Sequence, residues 1–231
     1  MKPFALSPFT VAAALLTLVV ILTAISVTGH GLQYFYGTDR FVQFVRLFNL
    51  SGEGNIPAWF SSILLFSSAL LLHDIAVAER NRGKRRFLKH WWALAIGFVY
   101  ISMDEAAQIH ELSIEPLRER FHTRGLLYEA WIVPATVVVV LLLVIYRRFL
   151  AHLPAATRLL FIVSGAVYVT GALGIESVSG YVADYHPDSI VVRGGLATLE
   201  DFLEMCGIVL FLYALLMYRH GVRVSRDLPT S

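Results

Sequence analysis

The stretch WWALAIGFVYISMDEAAQIHE, residues 91–111, contains both a membrane-helix signal and a cluster of polar groups. Its first thirteen residues carry no charge, which is typical of a membrane-spanning helix. The rest contains Asp104, Glu105, Gln108, His110 and Glu111. Ionisable side chains at membrane depth are costly and usually functional. This stretch therefore predicts a membrane helix that ends in a functional site.

The composition of the whole chain extends the membrane prediction. Of its 231 residues, 57% are hydrophobic and 16% are charged, whereas a soluble domain carries about 25% charged residues. Several stretches approach the roughly 20 apolar residues that cross a bilayer. We predict an all-α, polytopic membrane protein with one domain, 1–231, and a six-transmembrane-helix bundle. The predicted spans are about 9–29, 57–78, 91–112, 127–146, 158–179 and 197–218.

Two segments near the N-terminus need separate interpretation. Lys2 followed by an apolar run resembles a signal peptide, but the run is about twenty residues, longer than the usual 7–15. We therefore expect a retained first helix. The segment FVQFVRLFNL, residues 41–50, has polar residues at helical spacing. It predicts a short helix, either in the outer membrane interface or packed on the bundle.

The basic residues predict the orientation. With a cytoplasmic N-terminus, thirteen of the nineteen basic residues lie on the inner side, including all three lysines. This bias follows the positive-inside rule. It predicts a multi-pass protein of the cell membrane, of the bacterial inner-membrane type, with both termini cytoplasmic. The cluster RNRGKRRFLK, residues 80–89, is explained by this topology and by contact with anionic lipids, so we expect no nucleic-acid binding.

The acidic residues have the opposite distribution. Fourteen of seventeen lie on the predicted outer side or in the outer halves of helices. Acidic residues contribute little to the orientation of a membrane protein, so orientation alone does not explain this distribution. At about 100° per residue, Asp104, Gln108 and Glu111 share a stripe of the third span with Tyr100. Glu105 and His110 lie on its two shoulders. Asp104 and Glu204 both lie on the order of 10 Å below the outer interface.

These groups predict a divalent-metal site. Clustered carboxylates need protons, arginines or a metal for compensation, and carboxylates with one imidazole suit Zn, Mn, Fe or Ca. The predicted ligands are Asp104, His110, Glu111, Glu176, Glu200 and Glu204. The predicted supporting residues around them are Tyr100, Glu105, Gln108 and Glu53. Metal-dependent chemistry on a lipid or another membrane-associated substrate is the function that we expect.

Other interpretations of the acidic residues stay open. The outer arginines, Arg118, Arg120, Arg124 and Arg193, could neutralise the shallower carboxylates by ion pairing. A proton- or cation-coupled transporter or channel would also use intramembrane acids, but the predicted inner halves carry few ionisable groups. A non-catalytic structural or sensor subunit is the third alternative. The expected partners are membrane lipids, with a lipid substrate or a protein at the outer loop 115–124.

Overall fold

The computed structural model describes residues 7–37 and 41–227, with side chains described up to residue 221. Within these ranges the chain is helical and contains no strand. The α-helices are α1 (Pro8–Tyr36), α2 (Val42–Phe48), α3 (Ile56–Asn81), α4 (Leu88–Ala107), α5 (Glu111–Phe121), α6 (Ile132–His152), α7 (Ala155–Val169), α8 (Glu176–Tyr185) and α9 (Ile190–Asp227). A 3₁₀ turn, Gly125–Leu127, precedes α6, and a π-helix, Thr170–Ile175, joins α7 to α8.

Five helical segments in the described residues are long and apolar enough to cross a membrane. They are Pro8–Tyr36, Ile56–Asn81, Ile132–His152, Ala155–Tyr185 and Ile190–Gly221. All five coincide with predicted spans, which supports a multi-pass membrane protein. The remaining predicted span, 91–112, coincides with α4, whose uncharged stretch is only thirteen residues.

Polar side chains cap the starts of α1 and α3. The Ser7 side chain accepts from the backbone of Thr10 at the start of α1, and Asn55 caps α3 in the same way. The short helix predicted over residues 41–50 is present as α2. It packs on α1 at Gly29. A Cβ at position 29 would lie 3.1 Å from the Val45 side chain, so the missing side chain of the glycine leaves room for Val45.

The core of the bundle is built around α3, α4 and α9. Two buried apolar clusters lie along it, one containing Leu64, Leu65 and Met205, the other containing Trp91 and Phe149. Serines fasten α3 to α4: Ser62 Oγ donates to the carbonyl of Ser102 at 2.8 Å, and Ser102 Oγ donates back to Ser62 at 2.9 Å. Small residues of this kind let membrane helices approach closely.

The contact of α7 and the π-helix with α9 depends on two glycines. A Cβ on Gly207 would lie 2.8 Å from the backbone nitrogen of Tyr168, and one on Gly171 would lie 2.8 Å from the carbonyl of Glu200. Real side chains do not tolerate such distances. The two helices therefore touch backbone to backbone at the level of the acidic residues of α9.

The helices place opposite charges at opposite ends of the bundle. We call one the acidic end: the segment before α3, the α4–α5 turn, the start of α6, α8 and the first half of α9. The other is the basic end: the α3–α4 loop, the α6–α7 connection and the last turns of α9. The predicted site residues other than Tyr100 belong to the acidic end or to the last turn of α4 beside it.

Candidate functional site

The turn between α4 and α5 forms the first wall of the site. The α4 helix ends at Ala107, and Gln108 adopts a left-handed conformation with a φ of 57°. Asp104 Oδ1 accepts from the backbone N–H of His110 at 2.8 Å, so the side chain satisfies a donor that the helix end would leave free. The prediction of one helix through residue 112, which placed Gln108 and Glu111 on the Asp104 stripe, is wrong for this reason.

Asp104 and His110 also pair through their side chains. The ring Nδ1 of His110 lies 2.9 Å from Asp104 Oδ2, and both side chains are mostly buried. Because an ionised carboxylate only accepts, Nδ1 carries the proton and Nε2 presents its lone pair. In the described part of the chain Nε2 makes no hydrogen bond. Asp104 thus orients the imidazole of His110.

A pair of carboxyl groups lies beside this turn. The side chains of Glu53, just before α3, and Glu111, at the start of α5, lie close enough to interact with each other. Partial burial, the Glu111 contact and the charges of Glu105 and Asp104 raise the pKa of Glu53 from 4.5 to about 8. Two carboxyls this close cannot both ionise freely. The pair therefore holds a proton near neutral pH.

The side chain of Trp131 connects the α4–α5 turn to α8. The Trp131 Nε1–H donates to Glu176 Oε1 at 2.8 Å, while the Trp131 ring lies 4.8 Å from the His110 ring between centroids. The second oxygen of Glu176 is buried and has no hydrogen-bond partner. An unsatisfied buried oxygen is costly. The part of Trp131 in the site was not predicted from the sequence.

The first half of α9 supplies the remaining acids. Glu204 lies close enough to interact with the hydroxyl of Tyr168 on α7, and Glu105 of α4 lies close enough to interact with Ser61 of α3. Asp201 lies close enough to interact electrostatically with Glu204, Glu105, Glu176 and Glu53. Neither Asp201 nor Tyr168 was among the predicted site residues.

These groups form one electrostatically connected network, which we call the carboxylate network. Its members are Glu53, Asp104, Glu105, Glu111, Glu129, Glu176, Glu200, Asp201 and Glu204. It contains every predicted acidic ligand, with His110 beside it. Across residues 7–37 and 41–221, however, no three His, Cys, Asp or Glu side chains converge closely enough to hold a metal ion.

Arginines form ion pairs with carboxylates at the surface of the acidic end. Arg118 Nη2 lies 3.2 Å from Glu129 Oε2, and its guanidinium stacks on the Tyr128 ring at 3.8 Å. Burial raises the pKa of Glu129, and the charge of Arg118 opposes that rise. Arg124 pairs with Asp184 at 3.0 Å. Ion pairing thus applies at the surface of the acidic end, whereas the deeper carboxylates have no arginine partner among the described ion pairs.

Two predicted supporting residues do not join the network. Tyr100 is 53% exposed and makes no hydrogen bond among the described residues. Gln108 contributes its backbone conformation to the turn. A single Glu-x-x-His spacing, Glu119 to His122, ends α5, but both side chains are exposed and di-iron bundles use two such motifs.

An apolar groove of about 420 Å³ lies next to the network, between α4, α6, α7 and α9. Leu142 and Leu143 of α6 form an outer wall and are partly exposed on the surface of the bundle. Phe98 and Phe211 stack at 4.7 Å within its lining. Tyr168 lines the groove and also contacts Glu204. The groove and the carboxylate network therefore meet at this tyrosine.

Comparison with known protein families gives a match over most of the chain. The model of the family described as "Domain of unknown function (DUF8692)" matches residues 11–218. No curated protein and no solved structure matches the chain.

Proposed function

Because the chain belongs to the DUF8692 family, whose description names no activity, we propose a function from the site itself. The protein binds a divalent metal ion, Zn, Mn, Fe or Ca, at the acidic end and uses it in chemistry on a lipid or another membrane-associated substrate. The observation that carries this proposal is the Asp104–His110 pair. A histidine that ligates a metal usually donates its other ring N–H to a carboxylate, which is the relation of these two residues.

The charge balance of the network supports a cation. Nine carboxyl groups interact there, and the neighbouring arginines are Arg118 and Arg193. The unpartnered oxygen of Glu176 and the Nε2 of His110 would each give an electron pair to the ion. Since no three ligand-type side chains converge in the described residues, binding would draw Glu111, Glu176 or the α9 acids together.

Different residues of the site would have different roles in the reaction. The ion would supply a Lewis acid for the substrate or an activated water. Asp104 would keep the His110 imidazole in the tautomer with a free Nε2. The Glu53–Glu111 pair, with a pKa for Glu53 of about 8, would accept or donate a proton near neutral pH.

The apolar groove supports a substrate that comes from the membrane. Ligand sites commonly occupy roughly 300–1,000 Å³ with mostly apolar linings and a few polar groups, and the groove has about 420 Å³. Tyr168 lies at its junction with the network. A hydrocarbon chain in the groove would thus place its polar end beside Glu204.

We also infer that α4 is a sixth crossing, so that both termini are cytoplasmic and the acidic end faces outward. The helix has 20 residues, hence about 30 Å of length, and it lies along α3 through the Ser62–Ser102 bonds. The basic residues concentrate at the other end, as positive-inside sorting requires. A site at one end fits an enzyme better than a transporter, because the described side chains between the acidic end and the basic end are mostly apolar and aromatic.

Metal analysis of the purified protein tests the binding step. The protein in detergent would be incubated separately with Zn²⁺, Mn²⁺, Fe²⁺ and Ca²⁺, desalted and subjected to elemental analysis. We expect one of these ions to be retained and to be lost in His110→Ala. Asp104→Asn should weaken binding about 10- to 100-fold, because it removes the group that orients the ligand.

His186→Ala and Glu115→Gln are the matched controls, since both side chains lie at the acidic end, are exposed and are outside the network. They should leave the metal content unchanged. Absence of every metal from the wild type, or equal retention by His110→Ala, would contradict the proposal. The chemical step is tested by mass spectrometry of membrane lipids incubated with the metal-loaded protein, with His110→Ala as the inactive reference.

A further inference from the structure

A second cavity, at the basic end, is not used by the proposed function. Its volume is about 740 Å³, and it lies where the α3–α4 loop meets α6, α7 and α9. Two kinds of residue line it. Its basic lining residues are Arg82, Lys84, Arg85 and Arg86, and its apolar floor includes Trp91 and Phe149. The cavity is therefore amphipathic, with positive charge on one side and aromatic surface on the other.

The backbone of the loop that carries the four cations is held by a glycine turn and a hydrogen bond to the end of α3. Gly83 has a φ of 74°, and the N–H of Lys84 donates to the carbonyl of Glu79 at 3.0 Å. This arrangement is a glycine cap that ends α3 and satisfies its last carbonyls. The cations thus stand on a short structured turn between two membrane helices.

A buried carboxylate positions two of the cations. Glu79 is 5% exposed, and its oxygens lie 3.5 Å from Arg82 Nη1 and 3.9 Å from Lys84 Nζ. A buried carboxylate needs such partners, so it holds both side chains at the cavity. Arg86 is placed separately, with its guanidinium 5.2 Å from the Phe87 ring. One acid against four cations leaves a strong positive charge in the lining.

We propose that this cavity binds the phosphate headgroup of an anionic phospholipid from the leaflet at the basic end. Arginines recognise phosphate through paired N–H donors, and basic pockets between membrane helices are typical sites for anionic headgroups. The apolar floor favours a lipid over free phosphate, because it offers contact to the glycerol and the first methylenes of the chains. A topology signal alone would need only charge in the loop, with no cavity and no buried carboxylate to position it.

Native mass spectrometry of the detergent-purified protein tests this proposal. Phosphatidylglycerol and phosphatidylcholine would be added separately to the wild type and to two double variants. Arg85→Ala/Arg86→Ala changes two exposed cations that line the cavity. Arg147→Ala/Arg148→Ala changes two exposed cations of α6 at the same end that do not line it. Both variants lose the same charge.

We expect phosphatidylglycerol to bind the wild type in preference to phosphatidylcholine. The affinity should fall on the order of 10- to 30-fold in the cavity variant, and it should stay near the wild-type value in the α6 variant. An equal loss in both variants would overturn the proposal in favour of general surface charge. Displacement of the lipid by millimolar inorganic phosphate would overturn it in favour of a soluble phosphate ligand. Unchanged elution on size exclusion shows that each variant is folded.

Discussion

At the scale of single residues, the acidic end works through pairs rather than isolated ligands. Asp104 caps the α4–α5 turn and orients His110 with the same carboxylate. Glu53 and Glu111 interact with each other, and Trp131 donates to one oxygen of Glu176 and leaves the other without a partner. Each pair joins groups from different parts of the chain, so the site forms only when the bundle is assembled.

The Glu53–Glu111 pair predicts a pH dependence of stability. The pKa of Glu53 is raised from 4.5 to about 8, so between these values the folded state keeps a proton that the unfolded state has lost. The free energy of unfolding should therefore fall as the pH rises through this window and level off above it. Glu53 is partly exposed, so solvent screens the effect. Glu53→Gln should flatten the curve.

Thermal unfolding in detergent between about pH 5 and about pH 9, followed by tryptophan fluorescence, measures this dependence. Glu115→Gln is the control, because its carboxylate is exposed on α5 and outside the network. That variant should retain the wild-type slope. A Glu53→Gln curve with the same slope as the wild type would show that the pair does not share a proton.

At the scale of helices, the contact of α7 and the π-helix with α9 determines where the deepest acids lie. Gly207 and Gly171 let the backbones touch, and this contact brings Tyr168 to Glu204. Helix α4 contributes its last turn to the site and is fastened to α3 by the serine pair. Helix α6 packs loosely by comparison, with several valines and leucines exposed along its outer face.

Alanine substitutions at two glycines test this helix contact. Gly207→Ala puts a methyl group 2.8 Å from the Tyr168 nitrogen, so we expect it to destabilise the fold by about 1–3 kcal/mol. Gly165 on α7 faces open space, so Gly165→Ala should stabilise by about 0.5–1 kcal/mol through helix propensity. Melting temperatures in one detergent compare the two. Similar melting temperatures for both variants would show that α7 and α9 do not touch at this point.

At the scale of the whole molecule, the separation of charge is the dominant feature. One end gathers the carboxylate network, and the other gathers arginines and lysines around a cavity. If α4 crosses the membrane, the loops on its two sides must lie in different compartments. This is the one crossing that hydropathy leaves open, because its uncharged stretch is short.

Cysteine labelling in intact cells tests the crossing by α4. Cys206 is the only native cysteine, so a Cys206→Ser chain can carry Lys84→Cys before α4 or Glu119→Cys after it. A membrane-impermeant maleimide should label position 119 from outside. Position 84 should react only after permeabilisation. Labelling of both positions from the same side would exclude the crossing and place the termini on opposite sides.

Hydropathy and helical spacing predict most of the fold but only part of the site. Five spans and α2 follow from local pattern. The α4–α5 turn does not, since it depends on a side chain, Asp104, that bonds six residues ahead. The Trp131–Glu176 and Tyr168–Glu204 contacts join residues 45 and 36 positions apart, and no local period encodes them.

In the π-helix Thr170–Ile175, the number of residues matters for the structure as well as their identity. A π turn accommodates one more residue than the α turn it replaces. A deletion of one residue there would leave an unbroken α-helix with the part beyond it in nearly the same orientation, because the π turn absorbs the extra residue. A second deletion would rotate everything after it by about 100° and turn Glu176 away from Trp131, although every side chain of the site would still be present. The number of residues in this segment therefore bears on the site as directly as substitutions of its acids.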